Sequence, residues 1–478
     1  MSKSERVLLV NPTLAKVSST SFFVMPPGIL CLAAYLRKSG FEVEILDCNV
    51  EKGLAEELIG VRLKNSSYLL IGVSVMVAGQ LNQARSILQE VKKNSTITTV
   101  LGGAHVSQFP KEILINCPEV DYVVIGEGEK QLQAIAYDTV YRLNTSKYMD
   151  GVAFRKGVEV VVNDKESYIQ DLNSVPPPAY DLLDFEKYRQ DTRTWHNPYK
   201  VDLGVRVPIV TSRGCPNQCT FCSVSKCMGR EYRALNPKNV VDLMQSLYEY
   251  VGAHYFAFFD ANFTQDPPRV MQICNEIKRR DLKFQIDLPT GFPINVSSEE
   301  MVTALVEIGL IRTGISIESG DKYIRNDVMK KNVAQEAIFN IVDMVRKFPQ
   351  VIFLVDIVIG MPEDTKETIE TTYQIVEQLD IDEIVICTAT PYGGTPLYEQ
   401  CVKEHLFFEG VDPSLFWCSE GFSHHEVDGY IIKPYALEIE DLEGFKKRFQ
   451  DLRVIKNNRY KKRMLDVFGV VSEWKGRG

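Results

Sequence analysis

Three cysteines, Cys215, Cys219 and Cys222, stand in the run TSRGCPNQCTFC from Thr211 to Cys222. On one short loop, C-x3-C-x2-C spacing can wrap three thiolates around three irons of a four-iron, four-sulfur cluster and leave the fourth iron without a protein ligand. That open iron is a place for chemistry. With 11 Cys in 478 residues, the spacing arises by chance about 0.006 times per chain, so it carries information. The competing reading is a zinc loop completed by Cys227, although zinc loops usually present C-x2-C pairs. The motif follows the apolar run Val205 to Val210. The sequence therefore predicts a strand-to-helix loop at the carboxyl edge of a sheet.

An aromatic residue, Phe221, directly precedes the third cysteine. This spacing and this aromatic resemble the cluster loop of the radical S-adenosylmethionine (SAM) enzymes. The resemblance implies that SAM's amino and carboxyl groups chelate the open iron, with Phe221 near the adenine.

The elements that must position such a loop fall into two runs of alternating strand and helix. In the first, strands are expected at Val7–Asn11, Val43–Leu46, Leu69–Val75, Thr98–Leu101 and Tyr122–Ile125, with helices at 28–39, 55–63, 81–93 and 111–116. Such alternation predicts a parallel, doubly wound (Rossmann-like) α/β sheet with ligands over the carboxyl ends of its strands. Those ends carry Asn11, Asp47, Ser74, Gly102, Gly103, His105, Gly126, Glu127 and Gly128. Glycine-rich exits let a large flat or phosphorylated ligand come close to the backbone. The opening VLLVNP, the PPG before the first helix, GGAH at 102–105 and GEGE at 126–129 look like the cobalamin-binding domain that precedes the radical domain in one large branch of the superfamily. The resemblance makes those strand-end residues cobalamin contacts. It also contains a departure: where cobalamin domains that place a histidine on cobalt carry D-x-H-x-x-G, this chain has DCNVEKG at 47–53. No histidine is available there, so the lower cobalt face is expected to be free of the cofactor's own base and of a protein imidazole.

The second run begins near Arg206. After the cluster strand, further strands are expected at Tyr255–Phe259, Phe284–Asp287, Thr313–Ile317, Phe353–Ile359 and Glu383–Thr388, six in all. Six parallel strands are the count of the partial barrel in radical SAM domains, which the resemblance implies here. A barrel enzyme collects its chemistry just past its strands. By resemblance, Asp260 and Asn262, Glu318 and Ser319, Gly360, and residues 391–395 line the SAM pocket. Glu318 and Ser319 could accept from ribose hydroxyls or the methionine amino group. Arg325 could pair with the methionine carboxylate or stand at the surface, and Asp260 or Asn262 could instead cap the following helix. The expected divisions are a cobalamin-binding domain at 1–148, a hairpin and Pro-rich linker at 149–204, the barrel at 205–398 and an α-rich cap at 399–478, the linker marked by Pro176, Pro177 and Pro178.

Composition narrows the class. The chain is 45% hydrophobic and 24% charged, as in ordinary globular proteins. It has no apolar stretch long enough to span a bilayer and no signal-like start, so a reducing cytoplasmic setting is expected. A net charge of −9 argues against nucleic acid as a partner. One segment departs from that balance. Between Lys446 and Arg463 there are nine Lys or Arg and one acid, with Phe445, Phe449, Leu452 and Ile455 at helical spacing. It reads as a docked helix with a solvated basic face, or as a peripheral membrane contact through 445–463. His424 and His425 read as ordinary surface or core histidines before substrate or metal groups. Cys387, Cys401 and Cys418 lack the spacing of a second cluster, and Tyr392 and Trp417 read as core or cavity walls.

The resemblance to the cobalamin-dependent radical SAM enzymes, and within them the methyltransferases, implies three cofactors: a 4Fe-4S cluster, SAM and cobalamin. It implies methylation of an unactivated carbon of a small-molecule or lipid substrate through a 5′-deoxyadenosyl radical and methylcobalamin, with electrons from a donor such as flavodoxin or ferredoxin. A nonacidic carbon offers no nucleophile to SAM, which is why a radical route is needed. Non-methylating cyclisation, rearrangement or oxidation on the same architecture is the alternative, and a non-catalytic cluster protein the more distant one.

Overall fold

The computed structural model describes residues 5–13, 24–93, 95–190, 192, 202–418 and 430–468. Its contacts separate into two units: residues 1–188 with 223–229 and 412–428, and residues 189–222 with 230–411 and 429–478.

In the first unit the order is β1 (Arg6–Asn11), α1 (Pro27–Lys38), β2 (Glu42–Asp47), α2 (Ala55–Asn65), β3 (Leu70–Ser74), α3 (Leu81–Lys93), β4 (Thr98–Gly102), α4 (Pro110–Asn116), β5 (Tyr122–Val124) and α5 (Glu129–Tyr141). The hairpin β6 (Val152–Lys156) and β7 (Glu159–Val162) follows. The sheet runs β2-β1-β3-β4-β5-β6-β7, parallel through β5 and antiparallel at the hairpin. Helices cover both faces, so the central strands are apolar on both sides: Val7, Leu8 and Val10 are fully buried. Pro27 opens α1 at its first turn, where the missing N–H costs nothing. On α3 the buried residues Leu81, Ala84, Ile87, Leu88 and Val91 form one helical stripe. The hairpin expected in a linker is instead the antiparallel edge of this sheet, and the unit extends to Tyr188.

The second unit begins with β8 (Arg206–Ile209) and the two-residue β9 (Ser212–Arg213). The short α6 (Val224–Met228) belongs to the first unit. Then follow β10 (Arg233–Ala234), α7 (Pro237–Val251), β11 (Tyr255–Phe258), α8 (Pro267–Arg279), β12 (Gln285–Asp287), α9 (Glu299–Glu307), β13 (Leu310–Glu318), α10 (Gln335–Arg346), β14 (Ile352–Ile359), α11 (Lys366–Gln378), β15 (Glu383–Thr388), α12 (Pro396–Glu404) and α13 (Ile439–Phe468). Six strands pair in parallel in the order β15-β14-β13-β12-β11-β8, an open barrel in chain order. The helices start where their sequences provide caps: Asp266 accepts from Arg269 N, Ser298 from Met301 N and Thr365 from Thr368 N. Among the described residues no helix is long and apolar enough to cross a membrane.

Helix α13 docks by Leu442, Phe449, Leu452 and Met464, all buried. Lys456, also buried, donates to Glu377 O and Leu379 O at the end of α11, where a cation meets the negative end of the helix. Arg448 pairs with Glu370, Arg453 with Glu383 and Arg463 with Asp382. The expected stripe through Ile455 is displaced by one residue: Ile455 is half exposed and Lys456 points inward.

Candidate functional site

Cys215, Cys219 and Cys222 lie just past β8, on a segment closed by the antiparallel pair β9 and β10. Asp260, at the end of β11 and fully buried, holds the base of that segment. Its carboxylate accepts from Thr211 N at 3.1 Å, from Thr211 Oγ1 at 2.9 Å and from Ser212 Oγ. Arg269 adds donors to Thr211 O at 3.0 Å and Leu235 O at 2.9 Å. Asp260 therefore faces the cysteine loop rather than an open strand end, and the cap of α8 is Asp266. Asn262 bonds locally, its Nδ2 to Gln265 Oε1 at 2.6 Å.

The far end of the loop is pinned by Thr220, which donates to Met329 O at 3.2 Å and Val328 O at 3.0 Å and accepts from Leu397 N at 3.1 Å. These bonds seat Phe221 against an apolar group containing Met329, Met361 and Leu397. Cys215, Cys219 and Cys222 are all partly exposed. Burial pushes the Cys219 thiol up to about 11, opposed by the nearby Lys331 ammonium. Among the described residues no three His, Cys, Asp or Glu converge on a point that would hold a single metal ion. Cys227, the fourth ligand the zinc reading required, sits in the first unit with its Sγ toward Ala104 O at 4.0 Å.

Glu318 ends β13 in the left-handed region, at φ 63°, a conformation costly for a residue with a Cβ. Its carboxylate takes Lys331 Nζ at 2.7 Å. Lys331 is placed by an equally unusual backbone: a π-helical turn at Tyr323–Val328, then left-handed Lys330 and Asn332 on either side of it. Sequence reasoning missed Lys331; its only signal was its place in the segment after β13. Ser319 turns away from Glu318 and meets Thr372 Oγ1 on α11 at 3.2 Å. Arg325 is neither a surface residue nor open to a ligand. It is buried and donates to Ser319 O, Gly320 O and Val333 O at 2.8–2.9 Å, fixing the turn after β13.

Gly360 adopts φ 89° and donates to Asp364 Oδ2 at 2.9 Å. Asp364 also accepts from Met361 N and Thr368 Oγ1, and burial pushes its carboxyl up to about 6. It shapes the exit of β14 and was also missed. The inward face of the barrel is legible in the burial pattern. On β13 and β14 the side chains under the helices are fully covered, while Ser316, Asp356 and Val358 are only partly so; Cys387 on β15 is likewise partly covered. Ser316, Asp356 and Cys387 thus face the lumen, with Glu318 and Lys331 close to Asp356 and to Cys219.

In the first unit the strand order changes direction between β1 and β3, the crevice where doubly wound sheets take ligands. Asn11 and Ser74 end its two walls. Asp47 is buried and accepts from Asn11 Nδ2 at 3.0 Å, Asn49 Nδ2 at 2.8 Å and Tyr188 Oη at 2.7 Å. It organises the edge of the crevice rather than standing free. Gly102 leads into Gly103, whose φ is 106° and whose hypothetical Cβ would lie 2.4 Å from Val75 O. That glycine is demanded by the protein's own backbone. Gly126 is similar, with Cys227 O at 2.8 Å from a Cβ, and Gly128 begins α5, a helix the sequence reading omitted. Glu127 accepts from Ile169 N at 3.3 Å. His105 is buried, with Nε2 against Trp417 O at 2.9 Å and its ring beside Phe109. His424 and His425 lie outside the described residues.

Residues 15–136 match the B12 binding domain family and residues 209–376 the Radical SAM superfamily. An uncharacterised methyltransferase of Pyrococcus horikoshii is 29% identical over 406 residues, 84% of this chain and 83% of that protein. An anaerobic magnesium-protoporphyrin IX monomethyl ester cyclase of Cereibacter sphaeroides is 26% identical over 83% of this chain and 63% of its own length. Among solved structures, the radical SAM methyltransferase TsrM from Kitasatospora setae, with cobalamin and a 4Fe-4S cluster bound, matches with a TM-score of 0.69 at 20% identity, covering 92% of this chain and 81% of that one. This last likeness shows the shared fold.

Proposed function

We propose that this chain, which belongs to the radical SAM enzymes that carry a B12-binding domain, methylates an unactivated carbon of a small-molecule substrate. The observation that carries the reading is the union, in one chain, of a corrinoid-type crevice with a barrel whose three-cysteine loop is pinned at both ends. When bound, the cluster with SAM supplies the hydrogen-abstracting radical and cobalamin supplies the methyl group.

The chain's own residues divide the work. Cys215, Cys219 and Cys222 hold the cluster, and the loop's anchors at Asp260 and Thr220 fix their spacing. Lys331, beside Cys219, favours the thiolate form of that ligand by its charge and takes the carboxylate-binding role that Arg325 cannot fill. Glu318 offers the acceptor for an ammonium or a ribose hydroxyl. Phe221, Gly360 and Met361 form an apolar ledge suited to a flat base. Asn11, Ser74 and Gly102 would border a bound corrinoid, and the 47–53 segment has no histidine to offer it. An external one-electron donor of the flavodoxin or ferredoxin kind completes the scheme.

Cyclisation is the second reading, because a cyclase is among the relatives aligned over most of this chain. Product analysis separates them. Anaerobically reconstituted enzyme turning over with SAM, methylcobalamin and a reductant should give S-adenosylhomocysteine along with 5′-deoxyadenosine and a product heavier by one methylene. Turnover yielding 5′-deoxyadenosine alone with an unmethylated product would replace methylation by the second reading.

A further inference from the structure

Strand β14 reads IFLVDIVI, with one polar residue, Asp356, in an otherwise apolar wall. Its neighbours Val355 and Ile357 are fully buried under the helices, whereas Asp356 turns to the lumen. It pairs in register with Ser316 on β13 and Val385 on β15, and Ser316 Oγ donates to Asp356 Oδ2 at 2.6 Å. The other carboxylate oxygen takes no bond from any described residue. The lumen's cations are already committed: Lys331 to Glu318 at 2.7 Å and Arg312 to Asp287 at 3.2 Å. Arg206 also pairs with Asp287, and among the described residues Asp356 has no ion-pair partner of its own. Burial acts on it accordingly, pushing the carboxyl up to about 6, with nearby Glu318 pushing the same way and Lys331 and Arg312 opposing.

An inward carboxylate with one oxygen unbonded and no ion pair among the described residues is costly in a protein wall unless a ligand supplies the missing partner. A hydroxyl would give it a hydrogen bond but no opposing charge, while an ammonium would give both. We propose that Asp356 is the specificity-determining residue of the barrel and anchors a protonated amine of the substrate. The proposal rests on the lumen being the site where SAM is cleaved.

The test uses reconstituted holoenzyme carrying cluster, SAM and methylcobalamin. Phenethylamine and tryptamine are titrated against their isosteric alcohols, 2-phenylethanol and tryptophol, and binding is read from the change in the reduced cluster's electron paramagnetic resonance signal. Each amine should bind at least tenfold more tightly than its alcohol, and Asp356→Asn should bring that ratio to within twofold. Equal affinities in the wild type, or an amine preference that survives in Asp356→Asn, would overturn the assignment. The wild-type ratio decides even if the variant folds poorly. Because binding needs no turnover, wild-type enzyme that cleaves no SAM would fail the radical reading separately.

Discussion

Lys331 Nζ lies 2.7 Å from Glu318 Oε1, and each partner is delivered by a left-handed backbone step, Glu318 at its own φ of 63° and Lys331 between Lys330 at 56° and Asn332 at 55°. Three unfavourable conformations around one ion pair mark a place where the surrounding fold spends stability on geometry. Replacing Lys331 by Met would leave the Glu318 carboxylate buried without its cation, a loss of about 3–5 kcal/mol. Urea unfolding of Lys331→Met should report that loss, and SAM cleavage should fall with it. The double variant Lys331→Met with Glu318→Gln should recover most of the stability and none of the cleavage. Recovery of both would reduce the pair to a structural brace.

The cysteine loop makes a sharper demand. Single Cys→Ala changes at 215, 219 and 222 should each abolish the iron-sulfur absorbance near about 400 nm and the iron content. Cys227→Ala should leave both in place, since that thiol faces Ala104 in the first unit. Loss of metal in Cys227→Ala would restore the zinc reading.

Asp260 acts one step back from the three cysteines. Its replacement by Ala removes acceptors from Thr211 N and Ser212 Oγ and leaves those buried groups unsatisfied, at about 1–3 kcal/mol each. Asp260→Ala should lower the unfolding midpoint and make the cluster release iron faster under a chelator, while Asp260→Asn, which keeps one acceptor, should fall between. Unchanged iron retention in Asp260→Ala would mean the loop is held by Thr220 alone.

The six-strand barrel and the five parallel strands of the first unit were legible because strands buried on both faces write continuous apolar runs, as in Val7–Asn11 and Ile352–Ile359. The three-cysteine loop was legible because thiolate spacing is a local property of the chain. What escaped the sequence depends on side-chain direction across strands. Asp260, Ser319 and His105 stand at strand ends, yet each turns to the protein: to Thr211, to Thr372 and to Trp417 O. Lys331 and Asp364 were invisible for the converse reason, since their partners are brought to them by loops whose strained backbone no periodicity records. Arg325 carries a charge but is consumed by three carbonyls, and nothing in its neighbours' types announces that.

Asp356 also has a consequence for stability without ligands. Its folded carboxyl lies at about 6 against 3.8 for an ordinary aspartate, so between those values the folded state binds the proton that the unfolded state has released. Its contribution is most favourable below pH 4 and is lost as pH rises through 6. A shift of about two units corresponds to roughly 3 kcal/mol. Apo-enzyme with Asp356→Asn should therefore gain up to about 3 kcal/mol over wild type at pH 8, with the difference shrinking toward pH 4.5. Urea midpoints at the two pH values measure it, and a variant less stable at pH 8 would mean that the Ser316 bond outweighs desolvation.

Helix α13 offers a test of phase, because its sequence and its docking disagree by one position. The spacing of Phe445, Phe449, Leu452 and Ile455 put Ile455 on the inner face, but Lys456 occupies it and uses its ammonium to bind two carbonyls at the end of α11. An apolar side chain at that point would leave those carbonyls to water, which explains why the helix rotates Ile455 outward. Leu452, 3% exposed, should then cost about 2–4 kcal/mol on change to Ala, whereas Ile455→Ser should stay within about 0.5 kcal/mol of wild type. Thermal unfolding of the two single variants decides the phase. A large loss for Ile455→Ser would place that residue in a buried contact and return the apolar stripe to the register its spacing suggests.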